Sequence, residues 1–359
     1  MIISIVIITF ISAIVTFALT PLTIILAKKF SLVDDPTKRP HPAHTHFGVI
    51  PRAGGLPIFC GIFIPTLLIV WNHPQLVGIF AGAAILLIVG LWDDFKDRSP
   101  YLRFITNCFA VALVVYSGVE IGYITNPFGG TLEFSKWQTI IALGEIRIPL
   151  LFSQIVAFLW ILWTTNIIGW SGGVDGQLPG FVAIASFVIG VLSLRFAISD
   201  PNQIYVTYLS FITTGAFLGF LPWNYYPQRI MPGYSGKTLA GFFLGILSIL
   251  AVSKLGTAIL VLALPLTDAV FILIRRLFMR QPLVKASSGH LHHHLLSLGW
   301  SKRKVAAFYW GISGIAGVAA LTLSSKQKVF TAILTIVLIL GLLIWLNLLR
   351  ETTVKKRVK

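Results

Sequence analysis

Residues 76–97 read LVGIFAGAAILLIVGLWDDFKD, an apolar run from Leu76 to Trp92 that stops abruptly on Asp93, Asp94 and Asp97. As a helix, such a run approaches the roughly 20 residues that cross a hydrocarbon core of about 30 Å. Two adjacent aspartates at its watery end raise each other's pKa unless a cation neutralises them. The simplest balance is a hard divalent metal with phosphate oxygens nearby. The stretch therefore predicts a membrane-embedded fold and chemistry on a phosphorylated substrate at a bilayer surface.

Composition extends that reading to the whole chain of 359 residues. With 56% hydrophobic residues, 11% charged residues and a mean hydropathy of +0.86, an ordinary soluble globular protein is excluded. The net charge of +16 points here to anionic lipid headgroups and anionic substrates, not to nucleic acid. Cys60 and Cys108 lie in apolar segments and suggest neither a disulfide framework nor a zinc site. Segment 1–27 is longer than a signal h-region and has no basic n-region, so it reads as a retained membrane helix.

Apolar runs predict eleven spans, at about 3–27, 54–71, 76–92, 101–119, 149–168, 179–196, 203–221, 238–255, 257–275, 304–324 and 329–349. With the odd-numbered loops and the tail in the cytoplasm, only Lys136, Arg147, Arg195, Lys254, Lys326 and Lys328 of the 28 Lys and Arg fall on the other side. That asymmetry puts the N-terminus outside and the C-terminus inside. The expected fold is an all-α polytopic membrane protein of about eleven transmembrane helices, multi-pass in the cytoplasmic (inner) membrane. One embedded domain covers 1–350, and a basic cytoplasmic tail covers 351–359. In the long outer loop 120–148, the stretches 131–134 and 146–148 alternate around a Gly129-Gly130 turn, which predicts a small outer β-hairpin.

The chemistry-bearing motifs all fall on the cytoplasmic side. A carboxylate pair such as Asp93-Asp94 can hold Mg²⁺ while one oxygen accepts a proton from, or attacks, a phosphate; a solvated acidic loop is the plainer reading. The Pro- and Gly-shaped segment from Asp35 through Lys38 to Arg52 and Gly55 carries cations suited to phosphate capture, although inner loops are basic in any case. Residues 166–176 read NIIGWSGGVDG, where glycines admit a ligand close to the backbone and Asn166 and Asp175 offer polar contacts. His290, His292 and His293 lie in the most basic loop, where donation to a diphosphate suits them better than zinc. Gly236-Lys237-Thr238 imitates a P-loop end, but the required earlier glycine is Met231. Asp268, inside the ninth span, is either functional or internally paired.

Taken together, these residues resemble the polyprenyl-phosphate N-acetylhexosamine-1-phosphate transferase family, a branch of glycosyltransferase family 4. The likeness covers nearly the whole chain. It rests on Pro51 to Gly55, Asp93 to Asp97, Asn166 to Asp175, Pro265 to Asp268 with Arg275-Arg276, and Gly289 to His293. Asp97 and the following Arg103 resemble the lipid-linked GlcNAc-1-phosphate transferases more than the peptidoglycan translocase branch. The resemblance implies attack of a polyprenyl phosphate on the β-phosphorus of a UDP-N-acetylhexosamine, with UMP released, Mg²⁺ (or Mn²⁺) as cofactor, and a place in cell-envelope glycan synthesis. It implies Asp93 and Asp94 as catalytic residues, Asp94 and Asp175 as metal ligands, and Lys38, Arg52, Asp97, Arg103, Asn166, Asp175, Lys237, His290, His292 and His293 as substrate contacts. The partners it implies are the two substrates and membrane lipids, with a homodimer allowed and nucleic acid excluded.

The chain departs from the family pattern at Gly169, where Asn is usual, at Gly172, where Asp is usual, and at Ser287-Ser288, where Asp-Arg is usual. In the loop usually written Met-Gly-Asp-x-Gly-Ser, Tyr234 replaces the expected metal carboxylate and Lys237 replaces the serine. Two explanations follow: altered ligation in which Lys237 neutralises phosphate charge, or a non-catalytic relative that binds lipid phosphate. A transporter is a third reading, which would require ionisable groups at mid-membrane.

Overall fold

The computed structural model describes every residue except 39–44, 47, 127–128, 144–145, 252–254, 283–288 and 359. Along the chain run α1 (Ile2–Lys29), β1 (Val33–Asp34), β2 (Ile50–Pro51), α2 (Gly55–Ile69), α3 (Pro74–Phe95) and α4 (Pro100–Tyr116). Next come β3 (Tyr123–Thr125), β4 (Thr131–Glu133), β5 (Gln138–Leu143), β6 (Ile146–Leu151), α5 (Phe152–Trp170), α6 (Gln177–Phe196), α7 (Asn202–Asn224) and α8 (Gly233–Leu250). The remainder is α9 (Leu255–Val261), α10 (Ala263–Phe278), α11 (Leu291–Ser297), α12 (Lys302–Thr322) and α13 (Ser325–Val358). It is an all-α polytopic membrane protein, with only two-stranded antiparallel sheets added.

Each predicted span contains a helix, but the helices are not equivalent. Among the described residues eight are long and apolar enough to cross a membrane, while α2 and α4 are shorter. The ninth predicted span is two helices, α9 and α10, bent by 80°. Pro265 in the first turn of α10 explains why the helix does not run through. It has no N–H for the carbonyl of Val261, and its ring crowds the preceding turn. The outer loop also differs from expectation. It makes two hairpins, β3 with β4 and β5 with β6, instead of one.

Burial sorts the helices. In α6, α7 and α8, 78% of the central window is buried, against 22% in α1 and in α13. The first three form the centre, and the terminal helices turn apolar side chains such as Ile7, Phe10, Leu334 and Leu338 outward. Helices in lipid gain little from the hydrophobic effect and associate by close packing. The α1–α7 contact shows this: a Cβ at Gly215 or Gly219 would lie 2.2 Å from the carbonyl oxygen of Thr9 or Ala13. Ser12, buried between α1, α2 and α7, donates to the Ile212 carbonyl at 2.6 Å. This packing brings Arg52, the α3–α4 turn, the α5–α6 turn, the start of α8 and α11 to one end of the bundle.

Candidate active site

Asp93 and Asp94 occupy the last turn of α3, and both are fully buried. Consecutive helical residues point about 100° apart, so the pair diverges. Asp93 Oδ1 turns to the start of α4, accepting from Arg98 N–H at 2.9 Å and from Arg103 Nε at 2.6 Å. Its Oδ2 is buried with no hydrogen-bond partner among the described residues. Asp94 turns to the N-terminus of α8, accepting from Tyr234 N–H at 2.7 Å, Ser235 N–H at 3.3 Å and Ser235 Oγ at 2.7 Å. Arg52 Nε lies 3.6 Å from Asp94 Oδ1. The half-exposed Asp97 sits between Arg52 and Arg103, 3.6 Å from each. The charge balance that sequence reading assigned to a metal is thus supplied largely by two arginines and a helix N-terminus.

Gly233 makes the Asp94 contact possible. Its φ is +69°, and a Cβ there would stand 2.3 Å from Asp94 Oδ2. The next residue, Tyr234, donates its hydroxyl to Asn107 Oδ1 at 3.3 Å, and Asn107 Nδ2 donates to Asn166 Oδ1 at 3.1 Å. The Arg103 guanidinium stands 5.0 Å from the Tyr234 ring centroid. Tyr234 therefore ties α4, α5 and α8 together at the place where the family pattern has a carboxylate. Lys237, one turn along α8, faces the α5–α6 turn: a Cβ on Gly172 would lie 3.4 Å from Lys237 Cε. Among the described residues the Lys237 side-chain amine has no hydrogen bond or ion pair.

The histidine segment meets the same turn. His292 is 1% exposed, and a Cβ on Gly173 would stand 2.1 Å from its Nε2. Thr45 closes over that turn by donating to the Gly173 carbonyl at 2.8 Å. His290 and His292 lie parallel with centroids 5.6 Å apart, and His293 lies 4.3 Å from His292. Burial holds the His292 imidazole well below its ordinary pKa, and the charges of His293, His290, Lys237 and His294 push the same way. The folded protein thus refuses a proton that the unfolded chain accepts below about pH 6.5. Stability should be full above that pH and fall as pH drops toward 5. Thermal midpoints in detergent across this range should show the fall, and His292→Phe should blunt it.

Asp175 turns toward the start of α12. Its carboxylate is 3.1 Å from Lys302 Nζ, at the start of α12, and accepts Gln228 N–H at 3.3 Å. The following Gly176 is bonded to Asn224 and Trp310. Asp94 and Asp175, paired in the sequence reading as metal ligands, are each already filled by protein donors. Among the described residues no three His, Cys, Asp or Glu side chains form a cation cluster. Lys38 is exposed in the turn after β1, its backbone N–H bonded to the Asp35 carbonyl. Arg52, Asp97, Arg103, Asn166, Lys237, His290, His292 and His293 do join Asp93 and Asp94 at one end of the bundle. Sequence reasoning missed Asn107 and Lys302. Asn107 is a polar residue one helical turn beyond Arg103 in an otherwise apolar helix, which was a usable signal.

The model of glycosyl transferase family 4 matches residues 76–252, which include all but the first two residues of α3, Asn107, Asn166, Asp175 and α8. A "Probable undecaprenyl-phosphate N-acetylglucosaminyl 1-phosphate transferase" of Bacillus subtilis is 28% identical over 96% of this chain and 90% of its own length. An "Undecaprenyl-phosphate alpha-N-acetylglucosaminyl 1-phosphate transferase" of Thermotoga maritima is 28% identical over 78% of each chain. A "Phospho-N-acetylmuramoyl-pentapeptide-transferase" of Levilactobacillus brevis is 25% identical over 75% of this chain and 82% of its own.

Proposed function

The chain belongs to glycosyl transferase family 4, and on that premise we propose that it transfers N-acetylhexosamine 1-phosphate from a UDP-sugar to a polyprenyl phosphate. The observation that carries the proposal is the buried carboxylate Asp93, with one oxygen unpartnered, beside Arg52, Arg103, Lys237 and His292 at one end of a membrane bundle. An acceptor phosphate oxygen attacks the β-phosphorus of the donor. A new P–O bond forms, the bond to the bridging oxygen breaks, and UMP leaves. Any proton on the acceptor phosphate passes to Asp93 Oδ2. Arg52, Arg103 and Lys237 neutralise the two anionic substrates, and the imidazoles of the 290–293 segment contact the diphosphate. Such transfer depends mainly on positioning and charge neutralisation.

The donor set suits a divalent cation at Asp93, because Mg²⁺ usually takes one or two carboxylates and completes its shell with substrate phosphates and water. Asp93 Oδ2 is the ligand offered when the acceptor phosphate arrives without a proton, and the half-exposed Asp97, which shares Arg103 with Asp93, is the neighbour able to join it. Bound there, the ion would polarise phosphoryl oxygens and stabilise the leaving group. The basic residues gathered at this end favour the cytoplasmic side for it by the positive-inside rule. Purified protein given UDP-GlcNAc, polyprenyl phosphate and Mg²⁺ should release UMP, with the rate dropping on omission of the lipid or addition of a chelator. Absence of UMP with every component present, whichever UDP-N-acetylhexosamine is supplied, would overturn the proposal.

A further inference from the structure

Asp268 has no task in the reaction as just described, yet it is fully buried on α10, just past the 80° bend. A buried carboxylate is tolerated when it is paired and its oxygens are hydrogen-bonded. Here both oxygens are used. Oδ2 lies 3.0 Å from His290 Nδ1, and Oδ1 accepts the N–H of Leu291 at 2.8 Å. Leu291 is the first residue of α11, the helix that carries His292 and His293. One carboxylate therefore fixes both the His290 ring and the start of the segment behind it. The parallel stack of His290 on His292 carries that orientation toward the Gly173 turn.

We infer that Asp268 is a positioning residue for the transfer reaction: it takes the Nδ1–H of His290 and so commits Nε2, on the far edge of the ring, to the phosphate groups of the sugar nucleotide. The inference rests on the transferase reading. An imidazole whose Nδ1–H is held by a carboxylate has one tautomer when neutral, with Nε2 as the acceptor. When Nε2 takes a proton and donates to a phosphate, the same carboxylate balances the new positive charge. Partners of this kind orient a functional ring.

Asp268→Asn separates this role from simple capping of α11. Asparagine keeps a carbonyl oxygen for the Leu291 N–H but presents an amide donor that cannot accept the His290 Nδ1–H. Turnover should fall by about ten- to a hundredfold, with the thermal midpoint in detergent near that of the wild type. Adding Asp268→Asn to His290→Gln should cause no further loss. Wild-type turnover in Asp268→Asn, or losses that multiply in the double variant, would overturn the inference. ¹⁵N spectra of ring-labelled wild-type protein without substrate supply a second reading, in which His290 Nδ1 should be protonated. A bare Nδ1 would sink the positioning role alone, whereas a wild-type protein that releases no UMP would sink the transferase reading.

Discussion

Replacing Asp93 with asparagine is expected to lower the turnover number by about 10²–10⁴-fold, the usual contribution of a positioned acid or base, while the protein still folds. The reason lies in how its two oxygens differ. Oδ1 is held by the Arg98 N–H and by Arg103, and an asparagine carbonyl accepts both. Oδ2 is buried without a hydrogen-bond partner among the described residues, and it is the oxygen that an amide nitrogen replaces. An amide neither takes a proton from a phosphate nor ligates a hard cation. UMP release, measured with melting of the same preparation, checks this. Near-normal turnover in a variant that lacks the carboxylate would remove Asp93 from the chemistry.

Asp94→Ala should act in a different way, by loosening the fold at the site. Its carboxylate accepts three donors from the first residues of α8 and pairs with Arg52 in a fully buried position. Removing one member of a buried pair costs about 3–5 kcal/mol, because the partner charge is left uncompensated, and the orphaned N–H groups at the helix start add to it. The expected result is a clear drop in the thermal midpoint together with loss of activity. Loss of activity at an unchanged midpoint would instead place Asp94 beside Asp93 as a reacting group. The sequence treats the two aspartates as equals; the helix geometry gives one a free oxygen and the other a structural task.

Much of the architecture was readable because membrane burial writes itself into long apolar runs. Each predicted span holds a helix, and Asp93, Arg52, Arg103, Asn166, Lys237 and His292 converge as their motifs suggested. The misses have physical causes. Hydropathy is blind to a change of direction, so the bend between α9 and α10 was hidden in one apolar stretch that contains Pro265. Nothing local in the glycine turn reveals that Lys302, more than a hundred residues away, pairs with Asp175. Alternation in the outer loop announced strands without fixing how many hairpins they form. Asp268, the membrane carboxylate that a transporter would need, is already committed to His290 and Leu291.

The central claim is that a lipid phosphate and a sugar nucleotide react at the Asp93 end of the bundle. Mass spectrometry of the lipid fraction after incubation with UDP-GlcNAc, polyprenyl phosphate and Mg²⁺ tests it most directly. The account predicts a polyprenyl-diphospho-N-acetylhexosamine species from the wild type and only a trace from Asp93→Asn. Equal amounts of that lipid from both proteins, or none from either with any UDP-N-acetylhexosamine, would contradict it.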